Sequence, residues 1–459
     1  MSIETSEKPV VNRAKFATGL GVLTATLGSA VGLGNIWKFP YLAGSNGGAA
    51  FLLVYIVCML LIGIPVMISE LTMGRAARSN AIATMQKLAP KKQPWWLIGA
   101  AGVISAFLIM AFYSEVAAWV FAYIFKAIQG GILSTDPEVT TGAFNGLVTN
   151  PGSSLIWQWI DLAVVGFIIL LGVNKGIEGA TKRLMPILLA LLILVGVRSI
   201  TLPGAGEGLE FLFKPDFSKL TAATFLVAMG LAFFKLSVGM GTMITYGSYF
   251  RDDQDIPGTA IRVAFSDLAV SLLAGIAIFP AVFAFGYEPN SGPSLLFLTI
   301  PSVFASMPLG NFFMVIFFLL TAIASIGAQI SLVEVPVAFL EEKFNMSRKM
   351  ATLTTIIGIA LFGSLAALSS STLADVKVFG MTFFDLFDYT TSNILLPLGG
   401  LFIAIFISWV WGYKKIENAI SNNGSLSNQR VIKILYWSLL VVTPILITIV
   451  LLNGLKIIQ

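Results

Sequence analysis

One lysine lies at a position where a charge is difficult to accommodate. Lys235 is near the middle of an apolar stretch at 222–250 that is long enough to cross a bilayer. Because an α-helix rises about 1.5 Å per residue, its ammonium is too far from either interface to reach water by extending its side chain. A lone ammonium at that depth costs at least about 3 kcal/mol. We therefore expect Lys235 to have a buried partner, and a buried lysine can also exchange a proton.

Three carboxylates also lie inside apolar stretches, namely Glu70, Glu115 and Glu334. Acids within membrane spans are functional candidates by default. Composition excludes other chemistry, because the chain contains no histidine and one cysteine, Cys58. It therefore has no intrachain disulfide, no clustered Cys/His metal site and no Ser-His-Asp or Cys-His nucleophile. We expect no enzyme activity and no cofactor.

The elements that position these charges are membrane-spanning helices. Of the 459 residues, 57% are apolar and 11% are charged, whereas a soluble domain has roughly 25% charged residues. A piece near 293–307 is too short to span and is predicted to be a loop that folds back on the bundle. Eleven apolar stretches are long enough to cross roughly 30 Å of hydrocarbon: 17–43, 48–76, 94–128, 154–172, 178–200, 222–250, 258–287, 308–343, 349–367, 382–413 and 432–456.

The basic residues predict the orientation of the chain. If the N-terminus is inside, the inner segments hold most of the Lys and Arg residues, and the outer segment 129–153 has none. Cytoplasmic segments are normally the basic ones. We therefore expect a multi-pass protein of the cell membrane, with its N-terminus in the cytoplasm and its C-terminus outside. The expected partners include membrane lipid but no nucleic acid, and a homodimer is left open.

Two of the predicted spans are rich in glycine. The first carries GSAVGLGNIWKFP, with Gly28, Gly32 and Gly34, and the sixth carries FFKLSVGMG, with Gly239 and Gly241. These spans are the first members of two successive groups of five. Interrupted helices at matching positions of two halves indicate an inverted repeat with a binding site near the middle of the membrane. Alternatively, the glycines only ease helix packing.

Seven motifs, in order along the chain, carry a resemblance to a known family. They are GLGNIWKFP (32–40), NGGAAF (46–51), GIPVMISELTMGR (63–75), KGIE (175–178), ITYGSYFRDDQDI (244–256), EVPVAFLEE (334–342) and SNILLPLGG (392–400). With them the sequence resembles the neurotransmitter:sodium symporter family, in its bacterial eleven-span amino-acid branch. The resemblance implies an all-α membrane protein with 11 transmembrane helices in a 5+5 inverted-repeat, LeuT-type fold with broken helices 1 and 6. The single transporter domain would cover 1–459, with repeat one near 17–200, repeat two near 222–413 and an extra helix near 432–456.

The same resemblance implies where an amino acid binds. In the family, backbone N–H groups at the first helix break and a tyrosine hydroxyl hold the substrate carboxylate, while carbonyl oxygens and a serine hydroxyl receive its amine. The pocket wall is apolar and includes a flexible methionine, which favours hydrophobic or aromatic amino acids. The implied substrate-binding residues are Ala30, Leu33, Gly34, Ile109, Tyr113, Phe234, Lys235, Ser237, Met240, Ala328 and Leu332.

Two ion pairs match the gates of the family. Lys38 and Asp388 match the outer gate, with Lys in place of the commoner Arg, and Arg13 and Glu342 match the inner gate. Because Lys cannot form the bidentate fork of Arg, the outer gate is expected to be looser. The segment 176–186 matches a helix-five element that unwinds for inward release.

The first sodium position of the family is altered. There the ion is held by an Asn matched by Asn35, by a Thr or Ser where this chain has Lys235, and by an Asn or Asp matched by Asp267. We expect the Lys235 ammonium to replace this ion and to touch Asp267, Asn35 and the substrate carboxylate. A purely structural ion pair is the alternative. Chloride is not expected to be required, because Asp267 already supplies a negative charge near the site.

The second sodium position lacks its two side-chain ligands. A hydroxyl pair of the family is replaced by Gly327 and Ala328, so the backbone carbonyls of Gly28, Val31 and Ala324 would form at most a weak sodium site.

Of the three buried acids, Glu70 and Glu334 match positions that brace helices in the family, and Glu115 has no matching role. We therefore expect an alternating-access transporter of small amino acids that is independent of sodium or linked to protons. The alternatives are an ordinary sodium-coupled amino-acid symporter and a non-transporting amino-acid sensor.

Overall fold

The structure, a computed structural model, describes residues 18–171, 179–455 and 457. These residues form helices and connecting turns, and their one extended pairing is an isolated bridge between Val378 and Met381. The all-α fold predicted from the sequence is confirmed.

The first half of the chain forms ten α-helices within the described ranges. Wider π-type turns connect α1 to α2 at Gly34–Lys38 and α3 to α4 at Met59–Gly63. The helices are α1 (Gly19–Ala30), α2 (Phe39–Ser45), α3 (Ala49–Cys58), α4 (Ile64–Ala77), α5 (Ala81–Leu88), α6 (Trp96–Gln129), α7 (Pro137–Val148), α8 (Pro151–Leu170), α9 (Gly179–Ile200) and α10 (Ala205–Phe213).

The second half repeats this pattern of long helices and short connections. Further π-type turns lie at Thr390–Leu395, Phe406–Trp411 and Ser438–Val442. The helices are α11 (Ala222–Lys235), α12 (Thr242–Gly247), α13 (Ile256–Ala284), α14 (Leu295–Ala305), α15 (Gly310–Phe344), α16 (Arg348–Ala367), α17 (Phe383–Tyr389), α18 (Leu396–Ile405), α19 (Tyr413–Ile420), α20 (Gln429–Trp437) and α21 (Thr443–Gly454).

Eight helical segments of the described chain are long and apolar enough to cross a membrane without a break. A further pair, Leu189–Ile200 and Ala205–Phe213, is bent by 118°. The first and sixth predicted spans, at 17–43 and 222–250, are not among the eight because each is divided into shorter helices.

The break in the first span begins where α1 ends. Val31 adopts an extended backbone, with φ −87° and ψ 106°, and its N–H makes the last hydrogen bond of the helix to the Leu27 carbonyl over 2.7 Å. The chain resumes helical geometry at Gly34. Backbone groups between these two points are therefore released from helical hydrogen bonding and become available to the interior.

The break in the sixth span lies between Lys235 and Thr242. Gly239 has a φ of 78°, and a Cβ at this position would lie 2.6 Å from the Leu396 carbonyl oxygen. Only glycine fits there. Its N–H donates to Glu70 Oε1 over 2.6 Å, so a buried acid stabilises the broken segment.

The segment at 293–307 corrects a prediction. It is too short to span, as expected, but it is helical rather than a loop, because α14 covers eleven of its residues. All of them except Ala305 are buried, and the helix packs against α7, α13 and α15. Burial on every side explains how a short apolar helix is stable despite Pro301 within it.

The long helices α6 and α15 lie side by side through the bundle, and α8 and α16 pack against both of them. The broken helices contact this frame, with α1 lying against α15 and α13, and α12 against α4 and α15. Both breaks are consequently enclosed by protein.

Candidate functional site

The two helix breaks face a cavity inside the bundle. The volume inside it that is open to the centre of a water molecule is about 20 Å³, which is room for about one water molecule. An amino acid therefore enters only after the lining side chains move. The structure brings together ten of the eleven predicted substrate-binding residues and adds Ser29 and Gly32. The lining residues are Ser29, Ala30, Gly32, Gly34, Ile109, Tyr113, Phe234, Lys235, Ser237, Met240, Ala328 and Leu332.

The eleventh residue, Leu33, contacts this site through its backbone. Its N–H donates to the Tyr113 hydroxyl oxygen over 3.1 Å. Gly32 permits the approach, because a Cβ there would lie 3.1 Å from the Ala328 Cβ and 3.2 Å from the Tyr113 hydroxyl. A broken helix and a tyrosine hydroxyl thus form a polar end of the cavity that suits a carboxylate.

Ser237 lies in the second break, where its φ is 53°. Its hydroxyl donates to the Ser29 carbonyl over 3.0 Å, and the Ser29 hydroxyl donates to that of Ser331 over 2.8 Å. The family resemblance implies that the Ser237 hydroxyl contacts the substrate amine, whereas in this structure the hydroxyl donates its hydrogen bond to the Ser29 carbonyl. The cluster of three serines joins both broken helices to α15. No sequence motif indicated Ser29 or Ser331.

Lys235 ends α11, and its side chain is fully buried. Its ammonium lies 2.9 Å from Asp267 Oδ2, donates to the Tyr55 hydroxyl over 2.9 Å and also donates to Ser271. The centroid of the Tyr55 ring is 4.5 Å from Nζ. One carboxylate and two hydroxyls therefore compensate the ammonium, as a buried charge requires. Tyr55 lies in no recognised motif, and the sequence analysis missed it.

Asn35 braces the acid of this ion pair. Its amide nitrogen donates to the Asp267 carbonyl over 2.8 Å, to Asp267 Oδ1 over 2.6 Å and to Ser271 over 3.1 Å. The amide oxygen accepts from the Gly32 N–H over 3.2 Å. The expected direct contact between Lys235 and Asn35 is wrong in this structure, because no hydrogen bond described for the ammonium reaches Asn35. The two residues are joined through Asp267 and Ser271.

A sodium ion does not fit the first position in this arrangement. Asp267 is the carboxylate of the group, and Lys235 already neutralises it at hydrogen-bonding distance. A metal cation beside the same oxygens would be repelled by the ammonium.

The second sodium position lacks the two side-chain oxygen ligands of the family. Ala328 presents a methyl group, and the Ala324 carbonyl lies 3.5 Å from where a Cβ on Gly32 would stand. Gly28 and Val31 lie at the end of α1, which packs on α15 at this contact. Gly327 and Ala328 carry no side-chain oxygen, and a weak sodium site stays a prediction.

The ion pair predicted as the outer gate is formed in this structure. Lys38 forms an ion pair with Asp388 and donates to Ser392 over 2.9 Å, while the Tyr41 hydroxyl lies 3.3 Å from Asp388. The Lys38 ammonium also lies 3.9 Å from the centroid of the Phe234 ring, which lines the cavity. The Lys38–Asp388 ion pair is therefore in direct contact with the cavity wall.

The inner gate is described only in part. Arg13 and Gly176 lie outside the described residues. Glu342 accepts hydrogen bonds from the backbone N–H and the side-chain amide of Asn80, over 2.9 and 2.7 Å. Pro186 lies within α9.

The remaining buried acid of the motifs, Glu334, accepts from Arg348 over 2.7 Å and from Tyr249 over 2.8 Å.

A membrane-spanning helix bundle with a cavity at two helix breaks and an ion-paired gate above it defines a secondary transporter of the LeuT-type fold. The chain matches the model of the sodium:neurotransmitter symporter family over residues 13–136 and 145–459. It belongs to this family, as predicted, and is a multi-pass membrane protein.

Individual relatives support this assignment. YhdH of Bacillus subtilis, an uncharacterized sodium-dependent transporter, is 39% identical over 98% of both chains. The sodium- and chloride-dependent taurine transporter of Homo sapiens is 26% identical over 91% of this chain and 74% of its own. The crystal structure of MhsT in complex with L-phenylalanine is 44% identical and has a TM-score of 0.92, covering 96% of this chain and 100% of that one.

Proposed function

We propose that this protein carries hydrophobic or aromatic amino acids across the membrane by alternating access, with Lys235 in the place of a sodium ion. The observation that carries the proposal is the position of the Lys235–Asp267 ion pair. It is fully buried, and Lys235 lines the cavity at the helix breaks. A fixed positive charge therefore lies where a substrate carboxylate would otherwise need a metal ion.

The side chains that line the cavity support the proposed class of substrate. Tyr113 and the N–H groups of the first break supply donors for a carboxylate, whereas Ile109, Met240 and Leu332 supply an apolar wall. An adaptable methionine in that wall suits bulky apolar side chains. MhsT, which is 44% identical, is the relative whose structure holds L-phenylalanine.

The altered sodium positions support coupling without sodium. At the first sodium position, the Lys235 ammonium forms an ion pair with Asp267. At the second sodium position, Gly327 and Ala328 supply no side-chain oxygen. Transport is then driven by a proton gradient or by the amino-acid gradient alone. Chloride is not required, because Asp267 supplies the negative charge. We also propose that the N-terminus lies in the cytoplasm and the C-terminus outside, because the segments that would then be inside hold most of the Lys and Arg residues.

Sodium-coupled symport is the second candidate. The names of relatives favour it, since YhdH is described as a sodium-dependent transporter.

Transport into proteoliposomes decides between these functions. Uptake of labelled L-phenylalanine is measured with sodium or choline outside, at two pH gradients, together with counter-flow against unlabelled substrate. We expect counter-flow and equal uptake in sodium and choline. Uptake that needs sodium would establish the second candidate, and binding without counter-flow would establish a sensor.

The matched variants are Lys235→Thr and, as a control, Lys214→Thr, whose side chain is 75% exposed. Lys235→Thr should lose uptake in choline, and Lys214→Thr should not. If Lys235→Thr binds L-phenylalanine with unchanged affinity and unchanged dependence on sodium, the ion pair has only a structural role.

A further inference from the structure

A second group of buried polar side chains lies between α6, α8 and α15, apart from the contacts of Lys235. Glu115 on α6 is 2% exposed, and Asp161 on α8 is 0% exposed. Glu115 accepts from the indole N–H of Trp119 over 2.7 Å, and Asp161 accepts from the amide of Gln329 over 2.9 Å. Neither acid takes part in any ion pair described for this structure.

The hydrogen bonds of this group are short of donors. Gln158 donates its amide to Ser114 over 3.1 Å. Four side-chain oxygens then have no hydrogen bond within the described residues, one each from Glu115, Asp161, Gln158 and Gln329. The Ser154 hydroxyl lies near Glu115 and is the one further donor described beside this acid. All four oxygens are acceptors if both acids are ionised, and an unpaired buried acceptor lowers the stability of the folded protein.

Two protons correct this imbalance. A protonated carboxyl is a donor as well as an acceptor, so one proton on each acid turns two of the four acceptors into donors. Rotating the Gln329 amide would not help, because it would turn an oxygen toward the Asp161 carboxylate. A single sodium ion would leave one of the two carboxylates uncompensated in a region where an unpaired charge is expensive.

Charged groups on the surrounding elements do not neutralise these acids. On α16, no titratable residue follows Lys349. On α6 itself, the nearest titratable group toward the cavity is the Tyr113 hydroxyl. Lys126, also on α6, is half-buried and donates to the Ala143 carbonyl over 3.1 Å. The other charges nearby are exposed or already paired, namely Glu138 on α7, Asp385 on α17, Glu334 with Arg348, and Asp388 with Lys38.

We propose that Glu115 and Asp161 form a proton-binding site that is loaded when the cavity is closed and exchanges its protons as the amino acid is carried. The site shares two helices with the cavity wall, because Glu115 follows Tyr113 by two residues and Gln329 follows Ala328. A rearrangement of that wall therefore moves the hydrogen-bond partners of both acids. The exchange involves only loss and gain of a proton at a carboxyl oxygen. The coupling part rests on the proposed transport function.

Infrared spectroscopy tests the site itself. Purified protein in lipid nanodiscs is measured in H2O and D2O as wild type, Glu115→Gln and Asp161→Asn, with the exposed Glu138→Gln as control. We expect the wild type at neutral pH to show the carbonyl absorption of protonated carboxyls. Glu115→Gln and Asp161→Asn should each lose part of it, and Glu138→Gln should keep it all.

Only a loss specific to the variants counts, because Glu70 is another buried acid with an unpaired oxygen. Full absorption in both variants, or its removal by added sodium, would overturn the proposal. If Asp161→Asn does not fold, the test uses Glu115→Gln together with a pH titration of the carboxyl absorption in the wild type.

Transport distinguishes this inference from the proposed function. Both variants should retain counter-flow of labelled L-phenylalanine and lose accumulation driven by an inward proton gradient. Retained accumulation would overturn the coupling role. If the wild type shows no counter-flow, the proposed function fails, and the infrared result still decides the proton-binding site.

Discussion

The Lys235–Asp267 ion pair gives the sharpest prediction. In Asp267→Asn the ammonium keeps its hydroxyl partners, Tyr55 and Ser271, but loses its carboxylate at 2.9 Å. In Lys235→Thr the carboxylate keeps Asn35 and Tyr55 but loses its cation. Each single variant leaves an uncompensated charge in a fully buried place. The double variant removes both charges and brings a hydroxyl and an amide together beside Asn35.

The magnitude follows from this geometry. Removing one partner of a buried ion pair costs about 3–5 kcal/mol, whereas replacing both by neutral groups is often neutral. We therefore expect each single variant to lose about 3–5 kcal/mol of stability and the double variant to recover most of that loss. Because the family binds sodium with Thr or Ser at position 235 and with Asp or Asn at position 267, Lys235→Thr and the double variant should both be stabilised by sodium, which the wild type is not.

The assay is thermal inactivation of labelled L-phenylalanine binding by purified protein, in sodium and in choline. The stability losses of the two single variants are compared with that of the double variant. If the losses simply add, the two charges do not interact and the reasoning fails. A double variant that remains indifferent to sodium would refute the view that Lys235 replaces the ion.

Three further predictions concern the helix break, the substrate carboxylate and the gate. Gly239→Ala should abolish transport, because its Cβ would meet the Leu396 carbonyl at 2.6 Å. Gly380→Ala bears the same backbone strain, since its φ is also 78°, but nothing lies within 4 Å of its Cβ and it should keep transport; initial uptake rates of the two variants measure the difference. Tyr113→Phe should weaken binding by about 1–3 kcal/mol in equilibrium binding, because an acceptor and a donor at the carboxylate end are lost, and unchanged affinity would contradict that role. Asp388→Asn should speed release of bound label to the outside, because the Lys38 gate loses its charge partner, and an unchanged release rate would show that the pair is not a gate.

Much of the fold follows from sequence because helix breaks leave local signals. Gly239 could be identified as a break from the glycine pattern alone, and the structure shows that its φ and its contact with Leu396 require glycine. The burial of α14 could not be predicted. Its segment is too short to span, and only the surrounding bundle makes it stable as a helix.

Some residues of the site could likewise be predicted from the sequence, and others depend on contacts between distant parts of the chain. Lys235 could be identified because a mid-membrane ammonium has no local explanation, and the family resemblance supplied Asp267. Tyr55 and Ser29 could not, because a tyrosine or a serine in an apolar helix has the same pattern whether or not it meets a buried charge. Their roles depend on contacts between residues 180 and 208 positions apart.

The most direct test of the central claim is equilibrium binding of labelled L-phenylalanine to the purified protein across a sodium series, with choline holding ionic strength constant. If the Lys235 ammonium replaces the metal ion, affinity should be the same from zero sodium upward. An affinity that rises with sodium would contradict the account.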